Sequence, residues 1–448
     1  MKKNKILPAL LLAAIVSTSC LAQTAKLEEA INTYVNQYKF TGTVLVARHG
    51  EIILQKGYGF KDAATGTPNT VNTIYEIGSL AKQFTAAVIL KLQEQGKLSV
   101  HDKLSKYYPG YPNGDKITIH YLLSHSAGIY NYTNNKAFMS GDQSKPVTLD
   151  SMIGLFINQP LAFEPGTKFS YSNSGYTLLG YIIEKVTGRP YREALETMIL
   201  RPLQLKHSGY DFIALTDSNK ATGYSYYAPG AYEPARYVHP SILYTTGALY
   251  STVGDLYKWH WALMTNDFLS AASRQMMYTP VAGPYGYGWF ADSLFGKKRA
   301  SHDGAVPGFK SNINRIPEDD VCVIALSNSN GSSVGQMVRV LMCILYDQPY
   351  QLPVERKDVK LDTAVLKQYT GRYDFGPQTT TTITLENDML YIQGGGLRKT
   401  ELFAASETSF FGKTIDISVE FVKDSQAGIV SQVIIYADKQ KYTGKKAN

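Results

Sequence analysis

The chain contains 448 residues, more than one typical domain needs, so we expect two domains or one large domain with an appendage. Hydrophobic residues make up 44% of the chain and charged residues 18%, ordinary values for a folded soluble protein, although 33 tyrosines is a high count. The formal net charge of +8 is spread along the chain without a basic block, which excludes a charge-based argument for nucleic-acid binding.

The N-terminal stretch MKKNKILPALLLAAIVSTSCLAQ has a lysine-bearing start, an apolar run and small residues that end at Ala22. It predicts a secretory signal peptide over residues 1–22, because the apolar run is too short to span a bilayer. Lipidation at Cys20 is the alternative, but Ser17 stands where a lipoprotein signal prefers leucine. Removal of the segment and its three lysines lowers the formal net charge from +8 to +5. We therefore expect a secreted or periplasmic protein that keeps no transmembrane segment.

Cysteine and histidine patterns give no sign of a metal or another cofactor. Beyond the leader only Cys322 and Cys343 remain, both in apolar surroundings. Two reduced core thiols are expected, and a disulfide between them is the alternative. No cysteine and histidine cluster has metal-ligand spacing, so neither a metal site nor a bound cofactor is predicted.

The predicted elements begin with a helix over about residues 26–38 and a hairpin over 42–59. A long helix follows Ser79, because apolar residues recur at helical spacing until Gly96. The middle of the chain, from about 99 to 278, is expected to be helical with long loops. One of these loops is the tyrosine-rich stretch at 224–240.

Strand patterns return at 285–290, at 299–304 and on both sides of the turn PEDD, and a helix over about 334–345 follows. Strands at both ends of the segment predict one antiparallel sheet with helices on it and a helical insertion beside it. We therefore predict an α/β (α+β) hydrolase-like domain over residues 23–346. A polar linker at 347–361 then leads to a small all-β domain at 362–448, a barrel or half-barrel.

Ser79 and Lys82, in YEIGSLAKQF, are the first candidate catalytic pair. Residues three apart near a helix start lie on one face, so the lysine is within reach of the serine hydroxyl. Lys82 could accept the serine proton if burial or nearby positive charge lowered its pKa. The structural alternative, without catalysis, is a helix-capping serine with a surface lysine.

Tyr171 and Asn173, in EPGTKFSYSN, form a second candidate element, on a turn-rich loop that runs into an apolar helix. A tyrosine near two cations can have its pKa lowered enough to move protons, and an asparagine amide can hold a substrate carbonyl. A third element is His302-Asp303-Gly304, at the end of a predicted strand, where a glycine would let a substrate approach closely. A structural or solvated histidine is the alternative for His302.

The order of these three elements is typical of β-lactamases and penicillin-binding proteins: Ser-x-x-Lys, a polar triplet ending in Asn, and a basic-x-Gly strand. The chain resembles the class C β-lactamase and D-alanyl-D-alanine carboxypeptidase superfamily, in its β-lactamase-related branch. HYLLSHSAGI at 120–129 and TTGALYSTVGDLYKW at 245–259 agree with that branch. The resemblance covers about residues 26–346 and implies the β-lactamase/transpeptidase-like fold.

The resemblance implies a role for each candidate. Ser79 would be the acylated nucleophile, Lys82 its partner in proton transfer, and Tyr171 the general base. Asn173 would orient the substrate amide. The backbone N–H groups of Ser79 and Ala305, next to Gly304, would form the oxyanion hole. His302 stands where β-lactamases usually carry the lysine of a Lys-[Thr/Ser]-Gly triplet, which this chain lacks.

The leading hypothesis is a secreted serine hydrolase that works through an acyl-enzyme on a small peptide, a β-lactam or an ester. A D-alanyl-D-alanine carboxypeptidase or a related amide hydrolase is favoured over a dedicated β-lactamase, because His302 replaces the lysine. A carboxylesterase of the same fold is the alternative enzyme, and a protein that binds penicillin or peptide without turnover is the alternative of another class. The sequence leaves the acyl and leaving groups and the oligomeric state open.

Overall fold

The structure is a computed structural model that describes residues 7–38, 40–228, 231–353, 357–376, 379–394, 397–413, 417–424, 428–437 and 440–447. Its helices are α1 (Leu7–Tyr38), α2 (Ala81–Glu94), α3 (Ile119–Leu123), α4 (Lys136–Ser140), α5 (Leu149–Gly154), α6 (Asn173–Thr187), α7 (Tyr191–Leu195), α8 (Pro240–Gly247), α9 (Val253–Ala262), α10 (Ala271–Met277), α11 (Val334–Leu345) and α12 (Thr363–Lys367). Strands before the C-terminal region are β1 (Gly42–Arg48), β2 (Glu51–Tyr58), β3 (Phe60–Asp62), β4 (Thr67–Pro68), β5 (Tyr75–Glu76), β6 (Gly209–Tyr210), β7 (Tyr224–Ala228), β8 (Ala231–Pro234), β9 (Leu249–Ser251), β10 (Phe290–Leu294), β11 (Lys297–Val306), β12 (Phe309–Ile316) and β13 (Val321–Ser327). Short 3-10 turns lie at Gly78–Leu80, Leu104–Lys106, Tyr132–Asn134 and Pro317–Asp319, and a π-helical turn lies at Glu196–Leu200.

A six-stranded antiparallel sheet, in the order β10-β11-β12-β13-β1-β2, forms the centre of the first region. The N-terminal hairpin joins the later strands through β1 and β13, with Leu45 opposite Ile324. The expected sheet built from both ends of the segment is confirmed. The predicted last helix is confirmed as well, since α11 spans the expected residues.

Both faces of the sheet are buried, so its central strands are apolar on both sides. Leu45 and Ile324 pack with α2, α6 and the rest of the helical middle. Val46 and Val323, one residue further along each strand, point the other way and pack against α1 and α11. The helical insertion and the outer helices therefore hold the sheet from opposite sides.

Several segments differ from the sequence-based expectation; the first helix, for example, begins at Leu7 and not near residue 26. Residues 285–289 form no strand, and β10 begins only at Phe290, because Gly288 adopts φ +78° and packs on the backbone of Gln83. The tyrosine-rich stretch contains the hairpin of β7 and β8 instead of an irregular loop. Tyr224 is buried there, and its backbone pairs with the segment after β13: its N–H donates to the carbonyl of Asn328 at 2.9 Å, and its carbonyl accepts from the N–H of Asn330 at 3.0 Å.

The C-terminal region is a closed antiparallel barrel, which confirms the prediction of a small all-β unit. Its strands are β14 (Gly371–Asp374), β15 (Thr380–Glu386), β16 (Met389–Gly394), β17 (Leu397–Ala404), β18 (Ser409–Phe411), β19 (Ile417–Lys423), β20 (Val430–Ala437) and β21 (Gln440–Lys446). The first strand closes on the last, with Tyr373 opposite Lys446. Closure leaves no sheet edge open, and the apolar interior holds Tyr369 of the preceding turn and Phe421.

Cys322 and Cys343 are both free and buried, as expected. Within the described part of the chain, no helix has the length and apolar character that crossing a membrane requires. The predicted signal peptide, residues 1–22, lies partly outside the described residues and partly in α1, and it stays a prediction together with its cleavage. The domain and linker boundaries also stay predictions.

Candidate active site

Ser79 lies in the 3-10 turn Gly78–Leu80, directly before α2. Gly78 has φ +51°, and a Cβ atom placed on it would lie 2.7 Å from the backbone nitrogen of Ala305. Only glycine fits this turn without displacing β11, which explains the residue before the serine. Ser79 does not cap α2, whose first turn has no side-chain cap, so its hydroxyl is left for Lys82.

Lys82 is buried completely, in the first turn of α2 and three residues after Ser79. Its Nζ lies 3.0 Å from Oγ of Ser79 and donates to the carbonyl of Thr246 at 2.9 Å. Nζ also sits over the rings of Tyr171 and Tyr176, 5.1 and 5.7 Å from their centroids. Burial lowers the pKa of Lys82 well below its usual 10.5. An uncharged lysine beside a serine hydroxyl can accept its proton, and a solvated surface lysine is ruled out here.

Tyr171 is held over Lys82 by the segment before α6. The backbone N–H of Ser172 donates to Nδ1 of His125 at 3.1 Å, and the rings of His125 and Tyr171 lie 4.1 Å apart. The expected lowering of the Tyr171 pKa is wrong: burial raises it, and the nearby Ser79 hydroxyl offsets only part of that effect. Tyr171 is therefore a neutral phenol at neutral pH. Its hydroxyl is buried without a hydrogen-bond partner of good geometry among the described residues.

Asn173 is the first residue of α6. Its backbone N–H donates to Oδ1 of Asn131 at 3.1 Å, which fixes the helix start. The Asn173 side chain lines a pocket together with Ser79, so it can hold a polar group of a bound substrate.

His302 is buried on β11, with 2% of its surface exposed. Its Nδ1 donates to the carbonyl of Asp303 at 2.6 Å, so in the neutral ring Nε2 accepts from the hydroxyl of Tyr285 at 2.7 Å. Burial, and secondarily the Lys82 charge, lowers the pKa of His302 to about 3. A solvated histidine is ruled out, and the ring that replaces the expected lysine is uncharged.

Gly304 and Ala305 lie on a free stretch of strand edge. β10 pairs with β11 only as far as Ser301, so residues 302–306 have no strand on that side among the described residues. A Cβ atom on Gly304 would lie 2.2 Å from both the Ile77 carbonyl and the Ser311 hydroxyl. Glycine thus lets β11 lie against the Ser79 turn, which places Ala305 beside Gly78, where the oxyanion hole is predicted.

Two pockets meet at Ser79, Ala305 and Lys310. The first, called the His302 pocket, has a volume of about 700 Å³. Its wall also includes Tyr171, Phe290, His302, Asp303, Ser332, Gly335, Ile417 and Ala437. The Asn173 pocket, about 530 Å³, has a mixed wall that includes Tyr132, Met139, Asn173, Arg236, Val238 and Ile242. Ile417 and Ala437 belong to the barrel, so the C-terminal region contributes to the cleft wall.

The structure brings all the sequence-predicted site residues together, and it adds residues that the motifs did not identify. His125 supports Tyr171, Tyr285 fixes His302, and the carbonyl of Thr246 holds Lys82. His125 and Thr246 lie in stretches that resemble the superfamily, and that resemblance was the signal in the sequence that could have identified them. Tyr285 had none. In the described part of the chain no cluster of three or more His, Cys, Asp or Glu side chains could hold a metal ion.

The sheet and the helices around the Ser79 turn define a protein of the β-lactamase/transpeptidase fold. The family model described as Beta-lactamase matches residues 27–341, and the chain belongs to that family, whose members are serine hydrolases. Penicillin-binding protein 4* of Bacillus subtilis (strain 168) is 30% identical over 442 residues, covering 92% of this chain and 96% of that protein.

Solved structures agree with this assignment. The octameric penicillin-binding protein homologue from Pyrococcus abyssi has a TM-score of 0.66 and 28% identity, over 94% of this chain and 99% of that chain. A D-stereospecific amidohydrolase from Streptomyces sp. has a TM-score of 0.60 and 27% identity, over 69% of this chain and 97% of that chain. The first likeness extends across the barrel region as well as the hydrolase-like fold.

Proposed function

We propose that the protein is a secreted serine hydrolase that cleaves small amides and short peptides, cell-wall peptide among them, through an acyl-enzyme on Ser79. The observation that carries the proposal is the position of Lys82: it is buried, its pKa is lowered, and its Nζ lies 3.0 Å from the Ser79 hydroxyl. The likeness to penicillin-binding proteins and to a D-stereospecific amidohydrolase supports an amide substrate.

Acylation follows from this geometry. Lys82 Nζ takes the proton of the Ser79 hydroxyl as Oγ forms a bond to the substrate carbonyl carbon. The oxygen that becomes negative lies between the backbone N–H groups of Ser79 and Ala305. As the carbon–nitrogen bond breaks, the phenol of Tyr171 gives its proton to the leaving nitrogen, and Lys82 returns a proton to Tyr171. A water molecule then repeats the attack on the ester, with the proton movements reversed.

The two pockets divide the substrate. Tyr171, the proton donor, lines the His302 pocket and not the Asn173 pocket, so the leaving group lies in the His302 pocket. The acyl part then occupies the Asn173 pocket, where Asn173 can hold its amide and the apolar part of the wall can hold its side chain. The volume of about 530 Å³ fits one or two amino acid residues.

The test compares wild type with Ser79→Ala on four reagents: a fluorescent penicillin, a D-Ala-D-Ala peptide, the amide of that peptide and a short-chain nitrophenyl ester. Ser105→Ala, a half-buried serine that lines neither pocket, is the matched control. We expect hydrolysis by wild type and the control and none by Ser79→Ala. Equal turnover by all three proteins would refute the nucleophile, whereas labelling without turnover would identify a binding protein. Turnover of the ester alone would identify an esterase.

A further inference from the structure

A carboxylate lies in the wall of the His302 pocket. Asp303 is exposed on β11, and its Oδ1 accepts a hydrogen bond of 2.5 Å from Nδ2 of Asn312, directly across the β11–β12 pair. A Cβ atom on Gly335, in the first turn of α11, would lie 3.4 Å from the same oxygen. Asp303 is thus fixed between a strand and a helix end, at the mouth of the pocket.

His302 adds no positive charge to oppose this carboxylate. Its Nδ1 proton goes to the Asp303 carbonyl, and its Nε2 accepts from Tyr285, so a neutral ring satisfies both contacts. Full burial disfavours the charged form further. The His-Asp pair therefore carries a formal charge of −1, whereas the Lys-[Thr/Ser] pair of the β-lactamase triplet carries +1.

Lys310 is the other charged residue in the described wall of the His302 pocket. It pairs with Ala305, two positions along β11 from Asp303, and it also lines the Asn173 pocket. Lys310 therefore lies where the two pockets meet. The remaining described polar wall of the His302 pocket consists of uncharged groups such as those of Ser332 and Ser333.

We infer that Asp303 is a specificity-determining residue, which selects against leaving groups that carry a free carboxylate and favours neutral or cationic ones. The inference rests on the proposed function, because it concerns the group expelled from Ser79 into the His302 pocket. Like charges at a few ångströms repel strongly in a partly desolvated cleft. The preferred substrate class is then amino acid amides, peptides with a blocked C-terminus and esters, and a peptide ending in a free D-alanine is disfavoured.

The experiment uses the full-length protein and two substrates that differ only in leaving-group charge: N-acetyl-D-alanyl-D-alanine and its C-terminal carboxamide. We measure kcat/KM for each, and Ki for each as a competitor of nitrophenyl acetate hydrolysis, so that binding is read even without turnover. The variant Asp303→Asn keeps an oxygen for Asn312 and removes the charge. Glu318→Gln is the matched control, since Glu318 is a partly exposed carboxylate that lines neither pocket.

For wild type we expect the carboxamide to be preferred by at least about tenfold, in kcat/KM or in Ki. Asp303→Asn should reduce that preference by at least about fivefold, while Glu318→Gln leaves it unchanged. High salt should weaken the wild-type preference by screening it. A preference for the free acid in wild type, or an unchanged ratio in Asp303→Asn, would overturn the inference.

Lys310→Gln tests the alternative that Lys310, and not Asp303, determines how the pocket treats a leaving group with a carboxylate. If Lys310 bound the leaving carboxylate, this variant would lose kcat/KM or affinity for the free acid alone, which would contradict the role of Asp303. Failure of both substrates to react or to compete would also overturn the inference. The proposed function is tested separately, because Ser79-dependent hydrolysis of nitrophenyl acetate can hold while the leaving-group preference fails.

Discussion

Gly304→Ala should separate the two halves of the active site. A Cβ atom at this position would lie 2.2 Å from the Ile77 carbonyl and from Oγ of Ser311. Contacts of a real Cβ are almost never shorter than 3.0 Å, so β11 and the Ser79 turn must part by at least about 0.8 Å. Ser311 can rotate away, but the Ile77 carbonyl belongs to the backbone two residues before Ser79.

The displacement falls on the two segments that carry the oxyanion-hole N–H groups. A misplacement of about 1 Å can cost about a hundredfold in rate, so kcat/KM should fall by roughly that factor for amide and ester substrates alike. Overpacking should also destabilise the fold by about 1–3 kcal/mol. Steady-state kinetics and urea unfolding measure the two effects on the same preparation.

Two further variants make the test of Gly304 specific. Gly154→Ala is the control, because Gly154 is exposed at the end of α5 and a Cβ there meets nothing within 4 Å. Adding Ser311→Ala to Gly304→Ala removes one clash and leaves the backbone clash, so little activity should return. Gly304→Ala with activity within about twofold of wild type, or full rescue by Ser311→Ala, would show that the clash with the Ile77 carbonyl does not displace the oxyanion hole.

Four other outcomes are expected. Tyr171→Phe should lower kcat by at least about a hundredfold with a smaller effect on KM, the usual worth of a positioned proton donor, and near-normal turnover would contradict that role. Since Lys82 must be neutral to accept a proton, kcat/KM should rise with pH through the lowered pKa of Lys82 and level off well below 10.5; a rise only near 10.5 would count against a buried base. The pKa of His302 is about 3 in the folded protein and 6.5 in the unfolded chain. Between these pH values the unfolded state binds the extra proton. The free energy of unfolding should therefore fall on acidification by up to about 1.4 kcal/mol per pH unit. His302→Gln should remove that share of the slope in urea titrations, and an identical slope would argue against a neutral His302. Ala437→Trp should narrow the His302 pocket from the barrel side. Release of a naphthyl leaving group should then slow by about tenfold relative to a methyl leaving group. Equal effects on both leaving groups would show that the barrel does not form part of the cleft wall.

The local parts of the fold and site could be predicted from the sequence. Apolar periodicity identified α2 and α11, and the His-Gly turn identified the first hairpin. Three motifs in order identified Ser79, Tyr171 and His302, because each motif lies in one short stretch of chain. A sheet built from both ends of the segment was also predicted, and the structure shows that β1 and β13 join the two ends.

Long-range effects could not be predicted from the sequence. Lys82 is held by the carbonyl of Thr246, 164 residues away, and no local pattern indicates that contact. Tyr171 was expected to have a lowered pKa from nearby cations, but burial in the folded site raises the pKa of Tyr171, just as it lowers the pKa of Lys82. Tyr285 lies in a segment predicted as a strand, where Gly288 with positive φ makes a turn instead.

Mass spectrometry of the acyl-enzyme tests directly whether Ser79 is the nucleophile. Wild type and Ser79→Ala are mixed with nitrophenyl acetate, quenched in acid and digested. We expect an acetyl group on the wild-type peptide that contains Ser79, formed at the rate of nitrophenol release and absent from Ser79→Ala. An acetyl group that forms on another residue at the turnover rate would contradict a nucleophilic Ser79. So would turnover without a covalent adduct that is undiminished in Ser79→Ala.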